Sequence, residues 1–259
     1  MSQTLRHPEI VDMARREGRV TVDGLARHFD VTVQTIRRDL SELAGSGQLA
    51  RVHGGAVLPA SPVSSTANIG YDERRRLLGG EKRAIARACA AVVPHDAALF
   101  LAIGTTTEAV ARELLRHRGL MVVTNNMNVA NILMASPDCE VVLVGGSIRR
   151  SDGGIVGTLA VQALRQFKFD LSVIGCSGLD ADGDVLDYDL NEAGLNRAIL
   201  EQSRRRILVA DHSKLERSAP VRVASLRDVD ALVTDRALGD GLAKACQEWG
   251  TEVVVSGGS

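Results

Sequence analysis

The order of apolar and polar residues divides the chain into two regimes. Between residues 7 and 43 the apolar side chains recur at helical spacing. Ile10, Val11, Met13 and Ala14 make one stripe on a helix over 7–16, with Gly18 as its stop. Thr21 can cap a second short helix carrying Leu25 and Ala26 and ending near His28; Phe29, Asp30 and Val31 then form a turn. Val33, Ile36, Leu40 and Leu43 fall at i, i+3, i+7 and i+10, one face of a third helix. Gln34, Arg37, Arg38 and Ser41 fall on the other face, and Thr32 stands where its hydroxyl accepts an orphan N–H of the first turn. Past Gly45 the period changes to two. Leu49, Arg51 and His53 alternate with Ala50 and Val52, predicting a short β-ribbon that Gly54 and Gly55 allow to turn closely. This series predicts a winged helix-turn-helix.

The stretch 59–68 is small, polar, proline-bearing and aperiodic, as linkers are. Residues 71–78 lead past Gly79 and Gly80 into a helix over 81–93 with Ile85, Ala86, Cys89, Val92 and Val93 inward. The run Arg74, Arg75, Arg76 reads as a solvated or interdomain face, with no site assigned to it. From Ala98 onward short continuous apolar runs at 99–103, 121–124, 141–144, 171–175, 207–210, 231–234 and 253–255 alternate with helical patterns at 108–116, 128–134, 159–166, 192–203 and 239–249. Runs of that kind are strands covered on both faces, so the expectation is an α/β domain with a Rossmann-like, doubly wound sheet. The expected division is a winged helix-turn-helix domain over 1–58, a linker over 59–80 and an α/β domain over 81–259.

Composition narrows this picture. With 259 residues, 45% hydrophobic and 24% charged, the chain has ordinary globular content for one small and one medium domain. A formal net charge of -1 means that DNA binding must rest on a local patch, and 3% aromatics argue against base-stacking platforms. Cys89, Cys139, Cys176 and Cys246 match neither CxxC nor zinc-ligand spacing, so reduced thiols are expected. The polar N-terminus and the lack of a long uncharged apolar run point to the cytoplasm.

Candidate chemistry sits on the third helix and at the strand ends. Gln suits adenine and Arg suits guanine or a phosphate bidentately. The turn Gly104-Thr105-Thr106-Thr107 opens a helix and offers backbone N–H groups and hydroxyls to a phosphate. Asn125 and Asn126 follow the second strand, and the Gly145–Gly154 stretch after the third supplies Gly146, Arg149 as a charge partner, Asp152 as a hydroxyl acceptor and Gly153. Ser177 and Lys214 follow later strands, and His212 lies in the same turn as Lys214, either as part of a site or satisfying a buried hydrogen bond. Donors and cations beside Asn and Asp suit a small phosphorylated polyol. No GxxxxGK[ST] and no GxGxxG after a strand is present, which argues against ATP, GTP and NAD; no HExxH or histidine cluster suggests a metal. The expectation is therefore no cofactor, no metal and no catalytic residue. An isomerase-like enzyme is the alternative, with Asp152, Asp187 or Glu192 as its base.

Two motifs make the reading specific. Gln34-Thr-Ile-Arg-Arg-Asp-Leu, followed by Arg51-Val-His-Gly-Gly-Ala, resembles the DNA-binding signature of the DeoR family of bacterial repressors, with Thr32 where the family more often has Ser. The resemblance implies DNA contacts from Thr21, Thr32, Gln34, Thr35, Arg37, Arg38, Ser41, Arg51 and His53, with Gln34, Thr35 and Arg37 foremost, because Arg38 and Asp39 can pair with neighbours instead. Residues 100–107, 124–126, 145–149 and 211–214 resemble that family's sensor domain, whose fold is similar to phosphosugar isomerases. It implies effector contacts from Gly104, Thr105, Thr106, Thr107, Asn125, Asn126, Gly146, Arg149, Asp152, Gly153, Ser177, Glu192, Arg197 and Lys214. The segments 124–134 and 150–157, with Asp187-Tyr-Asp, resemble the branch that responds to glycerol phosphate. The resemblance thus implies a repressor released from double-stranded operator DNA by sn-glycerol 3-phosphate or a related sugar phosphate, acting as a homotetramer or homodimer away from membranes. Ala102 and Asn196 stand where the family usually has Asp and Lys, which weakens any isomerase activity, and Leu215-Glu216 stands where Phe-Gly is common.

Overall fold

The computed structural model describes residues 3–17, 19–45, 48–52, 54–57 and 70–257. The chain divides into two compact units, Met1–Asn68 and Ile69–Ser259. In the first, three helices α1 (Gln3–Glu17), α2 (Val22–Phe29) and α3 (Val33–Gly45) join strands β1 (Arg19–Thr21), β2 (Ala50–Val52) and β3 (Gly55–Val57). Ile36, Leu40 and Leu43 of α3 are buried against Ile10 and Ala14 of α1 and Leu25 of α2, as the helical period requires. Each fully buried Leu or Ile contributes about 1.5–3 kcal/mol. Thr21 Oγ1 caps α2 by accepting the Gly24 N–H at 3.2 Å. Asp30 closes α2 in the left-handed conformation, φ 50°, its N–H turned back to the Ala26 and Arg27 carbonyls.

The predicted ribbon forms, and β1 joins it as a third antiparallel strand in the order β1-β3-β2. A three-residue strand carries too little alternation to announce itself. Gly55 makes the pairing possible, since a Cβ there would lie 2.0 Å from the Val20 carbonyl oxygen. One polar contact crosses this core. Arg6 grips Asp39 through Nε–Oδ2 at 2.9 Å and Nη2–Oδ1 at 3.3 Å, and His7 Nε2 adds a 3.4 Å contact. The Asp39 side chain is 2% exposed, so this pair ties α1 to α3 in a low-dielectric setting.

The second unit opens with α4 (Tyr71–Arg76) and α5 (Gly79–Ala91). The elements β4 (Ala98–Leu101), α6 (Thr105–Leu114), β5 (Leu120–Thr124), α7 (Met127–Leu133) and β6 (Cys139–Leu143) follow. A hairpin of β7 (Ser147–Arg149) and β8 (Gly154–Val156) precedes α8 (Thr158–Leu164) and β9 (Phe169–Ile174). Next come β10 (Gly178–Leu179), β11 (Asp184–Asp187), α9 (Leu190–Glu201), β12 (Ser203–Val209), β13 (Val221–Ser225), β14 (Ala231–Thr234), α10 (Asp240–Trp249) and β15 (Glu252–Val255). All seven predicted apolar runs are strands of one parallel sheet, ordered β15-β14-β12-β9-β4-β5-β6. Alternate side chains sort to two cores: Leu99, Leu101, Val122, Leu171 and Val173 pack with α5 and α6, whereas Phe100, Val123 and Ile174 pack with α8 and α9. The winding reverses between β4 and β9, and their carboxyl ends part there into a crevice.

The linker expectation needs correction at its far end. Tyr71 and Arg74, assigned to 59–80, hydrogen-bond or pair with Glu108 and Asp152 inside the second unit. Among the described residues no helix is long and apolar enough to cross a membrane, and the four cysteines are free. Replacing Asp39→Ala should lower the stability of the first unit by about 3–5 kcal/mol, because it breaks a buried ion pair by removing the carboxylate that Arg6 grips. A urea titration followed by circular dichroism checks this; an unmoved first transition would show that the pair contributes nothing.

Candidate functional site

The first unit presents one polar face. Gln34, Arg37, Arg38 and Ser41 of α3 are exposed, with Thr35 half-buried, while Ile36, Asp39 and Leu40 turn inward. Thr32 Oγ1 accepts the Thr35 N–H at 3.2 Å and lies 2.9 Å from Thr35 Oγ1, so the two hydroxyls shape the start of the helix. Arg38 pairs with Glu42 one turn on, at 3.1 Å. Arg51 on the ribbon donates to Ser41 Oγ at 2.9 Å, and Ser41 Oγ donates to the Arg37 carbonyl at 2.7 Å. The ribbon is thereby latched to α3, and Arg37, Arg51 and Gly54 line a common concavity. Thr21 is exposed as the cap of α2. His53 lies outside the described residues.

At the switch point the structure brings together Gly104, Thr105, Thr106, Thr107, Ser177, Glu192 and Lys214 of the expected residues, with Arg74, Cys176 and Asp187 beside them. The crevice is narrow, about 30 Å³. Gly104 sets its geometry with φ 151° at the start of α6, where first-turn N–H groups lack intrahelical acceptors. One wall is acidic. Asp187 is buried and its Oδ1 accepts the Tyr188 and Asp189 N–H groups at 2.6 and 3.2 Å. Burial raises its pKa above the usual carboxylate range, with those N–H groups opposing. Burial, with Asp187 adding, pushes Glu192 up to about 7. Burial also lifts the Cys176 thiol to about 12, so it stays protonated.

The other wall opens into a cavity of about 220 Å³ lined by Arg74, Leu77, Leu78, Lys82, Asp211, His212, Ser213, Lys214 and Arg217. Four cations here face one buried carboxylate, Asp211, which is taken up by the Ser213 N–H at 3.1 Å and the Ser213 hydroxyl. Burial lowers the Lys82 pKa to about 8; Asp211 opposes, and Lys214, Arg74 and Arg217 lower it further. Burial likewise depresses Lys214. Arg74 Nε is buried without a hydrogen-bond partner. His212 is held by Asp235, through Nδ1 and its backbone N–H, both at 2.6 Å, so it satisfies a buried hydrogen bond.

Several expected residues do other work. Each guanidinium nitrogen of Arg149 is engaged, with Asp152 at 2.9 and 2.7 Å, Asp189 at 2.8 Å and Glu192 at 2.6 Å. Its charge neutralises carboxylates and is not turned to a phosphate. Asp152 also takes the Gly154 N–H and an Arg74 contact at 3.6 Å. Thr107 Oγ1 donates to the Ala102 and Gly104 carbonyls at 2.7 and 2.8 Å, locking the turn from within. Asn125 reaches the Ile155 carbonyl at 3.1 Å, and Asn126 caps α7. Gly146 and Gly153, at φ 154° and 71°, shape the hairpin. Arg197 is exposed and donates to the Val223 carbonyl at 3.2 Å and to that of Arg222, away from the crevice. Sequence reasoning missed Arg74, Lys82 and Arg217, single charges without a motif; the Arg74–Arg76 run was the one signal that could have drawn notice.

Comparison with known proteins agrees with this two-part layout. Residues 6–62 match the DeoR-like helix-turn-helix domain and residues 79–236 the DeoR C terminal sensor domain. The glycerol-3-phosphate regulon repressor of Escherichia coli K12 is 46% identical over 91% of this chain and 92% of its own. That of Haemophilus influenzae is 42% identical over 100% and 99%. A ribose 5-phosphate isomerase A from Neisseria gonorrhoeae superposes on 52% of each chain at 13% identity, with a TM-score of 0.39. Two matching domains in the same order, with repressors similar along almost the whole length, make this chain a member of the DeoR family of helix-turn-helix transcriptional repressors, a regulator rather than an enzyme.

Proposed function

We propose that the second unit binds a small phosphorylated polyol, sn-glycerol 3-phosphate foremost, and that binding releases the first unit from operator DNA. The observation that carries this is a cationic cavity beside an acidic crevice, the two sharing Arg74 and Lys214. Arg74, Lys82, Lys214 and Arg217 line the cavity, where Arg74 Nε has no acceptor and two lysines are depressed by burial. A phosphate would relieve both conditions at once. The adjoining crevice carries Asp187 and Glu192, acceptors suited to hydroxyls and hostile to a second anion. At about 220 Å³ the cavity lies below the usual range of about 300–1,000 Å³ for larger ligands. The relatives named for glycerol 3-phosphate favour the same ligand.

In this reading Gln34, Thr35 and Arg37 read base edges in the major groove, and Arg51 holds the ribbon beside the backbone. Thr21, Thr32, Arg38 and Ser41 position the helix, Arg38 being turned toward Glu42. One such helix on a chain of net charge -1 gives weak binding, so operator recognition takes a homodimer or homotetramer in the cytoplasm. Hundredfold induction requires about 2.7 kcal/mol of coupling, within the ordinary range.

Four outcomes test the proposal. Saturating glycerol 3-phosphate should weaken operator binding in fluorescence anisotropy; unchanged affinity would overturn the assignment of effector. Lys214→Met should weaken effector binding at least tenfold, about 1.4 kcal/mol. The affinity should also fall as pH rises above about 8. Lys82 must be charged to hold the phosphate, which is already a dianion, so binding takes up a proton near pH 8. Calorimetry in two buffers of different ionisation enthalpy reads that uptake, and an affinity that climbs with pH would refute it. Arg37→Ala should cost about 1–3 kcal/mol and relax one operator position, whereas Arg38→Ala should cost less. An equal loss from Arg37→Ala on every sequence, with a shallower salt slope, would instead make it a phosphate contact.

A further inference from the structure

The helix that opens the second unit is fastened chiefly by polar contacts, for α4 contains no buried residue. Tyr71 Oη donates to the Glu108 carboxylate, 3.0 Å from each oxygen, and accepts from Asn128 Nδ2 at 3.1 Å. Asn128 also reaches Glu108 Oε1 and the Asp152 carbonyl, at 3.1 and 3.0 Å. Arg74 lies 3.6 Å from Asp152. Lys82, from α5, donates to the carbonyls of Arg74 and of Leu77, the latter at 2.8 Å. Between the two helices Leu78 holds φ 52° and ψ 41°, a left-handed conformation that a side chain tolerates only when its surroundings impose it.

Arg74 and Lys82 thus serve two masters. They fasten α4, and they are two of the four cations around the cavity. The DNA-binding unit is joined to the sensor through the residues directly ahead of this helix. We infer that α4 is the relay between effector and operator. An anion in the cavity draws Arg74 off Asp152 and Lys82 off the α4 carbonyls, and the loosened helix no longer holds the operator-binding arrangement. Tyr71 does not line the cavity; it sets how firmly α4 is seated and therefore which state prevails. The identity of the anion rests on the function proposed above, whereas the seating of α4 does not.

Tyr71→Phe is the test, because it removes the hydrogen bond to Glu108 and keeps the ring. With no ligand present the variant should bind operator at least fivefold more weakly than wild type. Linkage then requires the opposite change for glycerol 3-phosphate, at least twofold tighter, because the clamped state that disfavours it has been weakened. Glu108→Gln, which retains a weaker acceptor, should move both affinities in the same directions by less, and calorimetric melting verifies that both variants fold. Operator affinity within twofold of wild type would overturn the relay, as would a parallel loss of both affinities, the sign of general damage. If wild type ignores glycerol 3-phosphate while Tyr71→Phe still weakens operator binding at an unchanged melting temperature, the relay stands and the ligand assignment fails.

Discussion

Like charges gathered around one cavity are the constraint on which the second unit turns. Arg74, Lys82, Lys214 and Arg217 repel one another, and burial adds a desolvation penalty to two of them. The fold tolerates this through local compensation. Asp211 supplies one counter-charge, and the carbonyls of Arg74 and Leu77 solvate the Lys82 ammonium. The parallel sheet makes the arrangement available, because each strand ends in a loop at the same edge and the winding reversal between β4 and β9 leaves that edge open. Residual electrostatic tension is the property an anion sensor needs, since binding free energy then includes relief of repulsion in the empty site.

The acidic wall works by the opposite rule. Arg149 is held by Asp152, Asp189 and Glu192, so those carboxylates are fixed in place and the guanidinium is silent toward a phosphate. Asp187, outside that cluster, keeps an orientation set by backbone N–H groups. Under the proposed function, a phosphate directed to the acidic crevice would meet carboxylates, so the charge pattern would orient the ligand as well as bind it. Ala102, buried just before the Gly104 turn, brings no carboxyl to the crevice. Its carbonyl accepts from Thr107 and its N–H bonds the Val173 carbonyl at 3.0 Å, roles that shape the turn and perform no chemistry.

Much of the architecture was legible because it follows from periodicity. The seven sheet strands are continuous apolar runs, and the face of α3 is set by Ile36, Leu40 and Leu43. The β7–β8 hairpin and the sheet of β10, β11 and β13 left no such trace, being strands of only two to five residues. The site was legible as a place and less so as a set of roles. Glu192 and Arg197 share α9, but five residues at about 100° each put them about 140° apart, so one faces the crevice and the other β13. The carboxylate partners of Arg149 were not legible because they come from as far as 43 residues away. Lys82 escaped because an isolated charge on a helix has no period, and Arg74 because its run of three arginines reads equally well as a solvated face.

The two units solve a shared problem, that of keeping charges aimed outward while the backbone beneath them stays fixed. In the first, buried Asp39 takes Arg6, which leaves Arg37 unencumbered on the outer face of α3, while Arg38 is drawn aside by Glu42. In the second, carboxylates take Arg149 and leave the cavity cations to face an anion. A net charge of -1 is thus the sum of two segregated fields. Neither field could be inferred from the total, because specific recognition depends on where a charge has no internal partner rather than on how many charges there are. That is also why Arg74 matters beyond its number. It has a buried Nε lacking an acceptor and a distant Asp152 contact, and it belongs to α4, the first helix of the second unit.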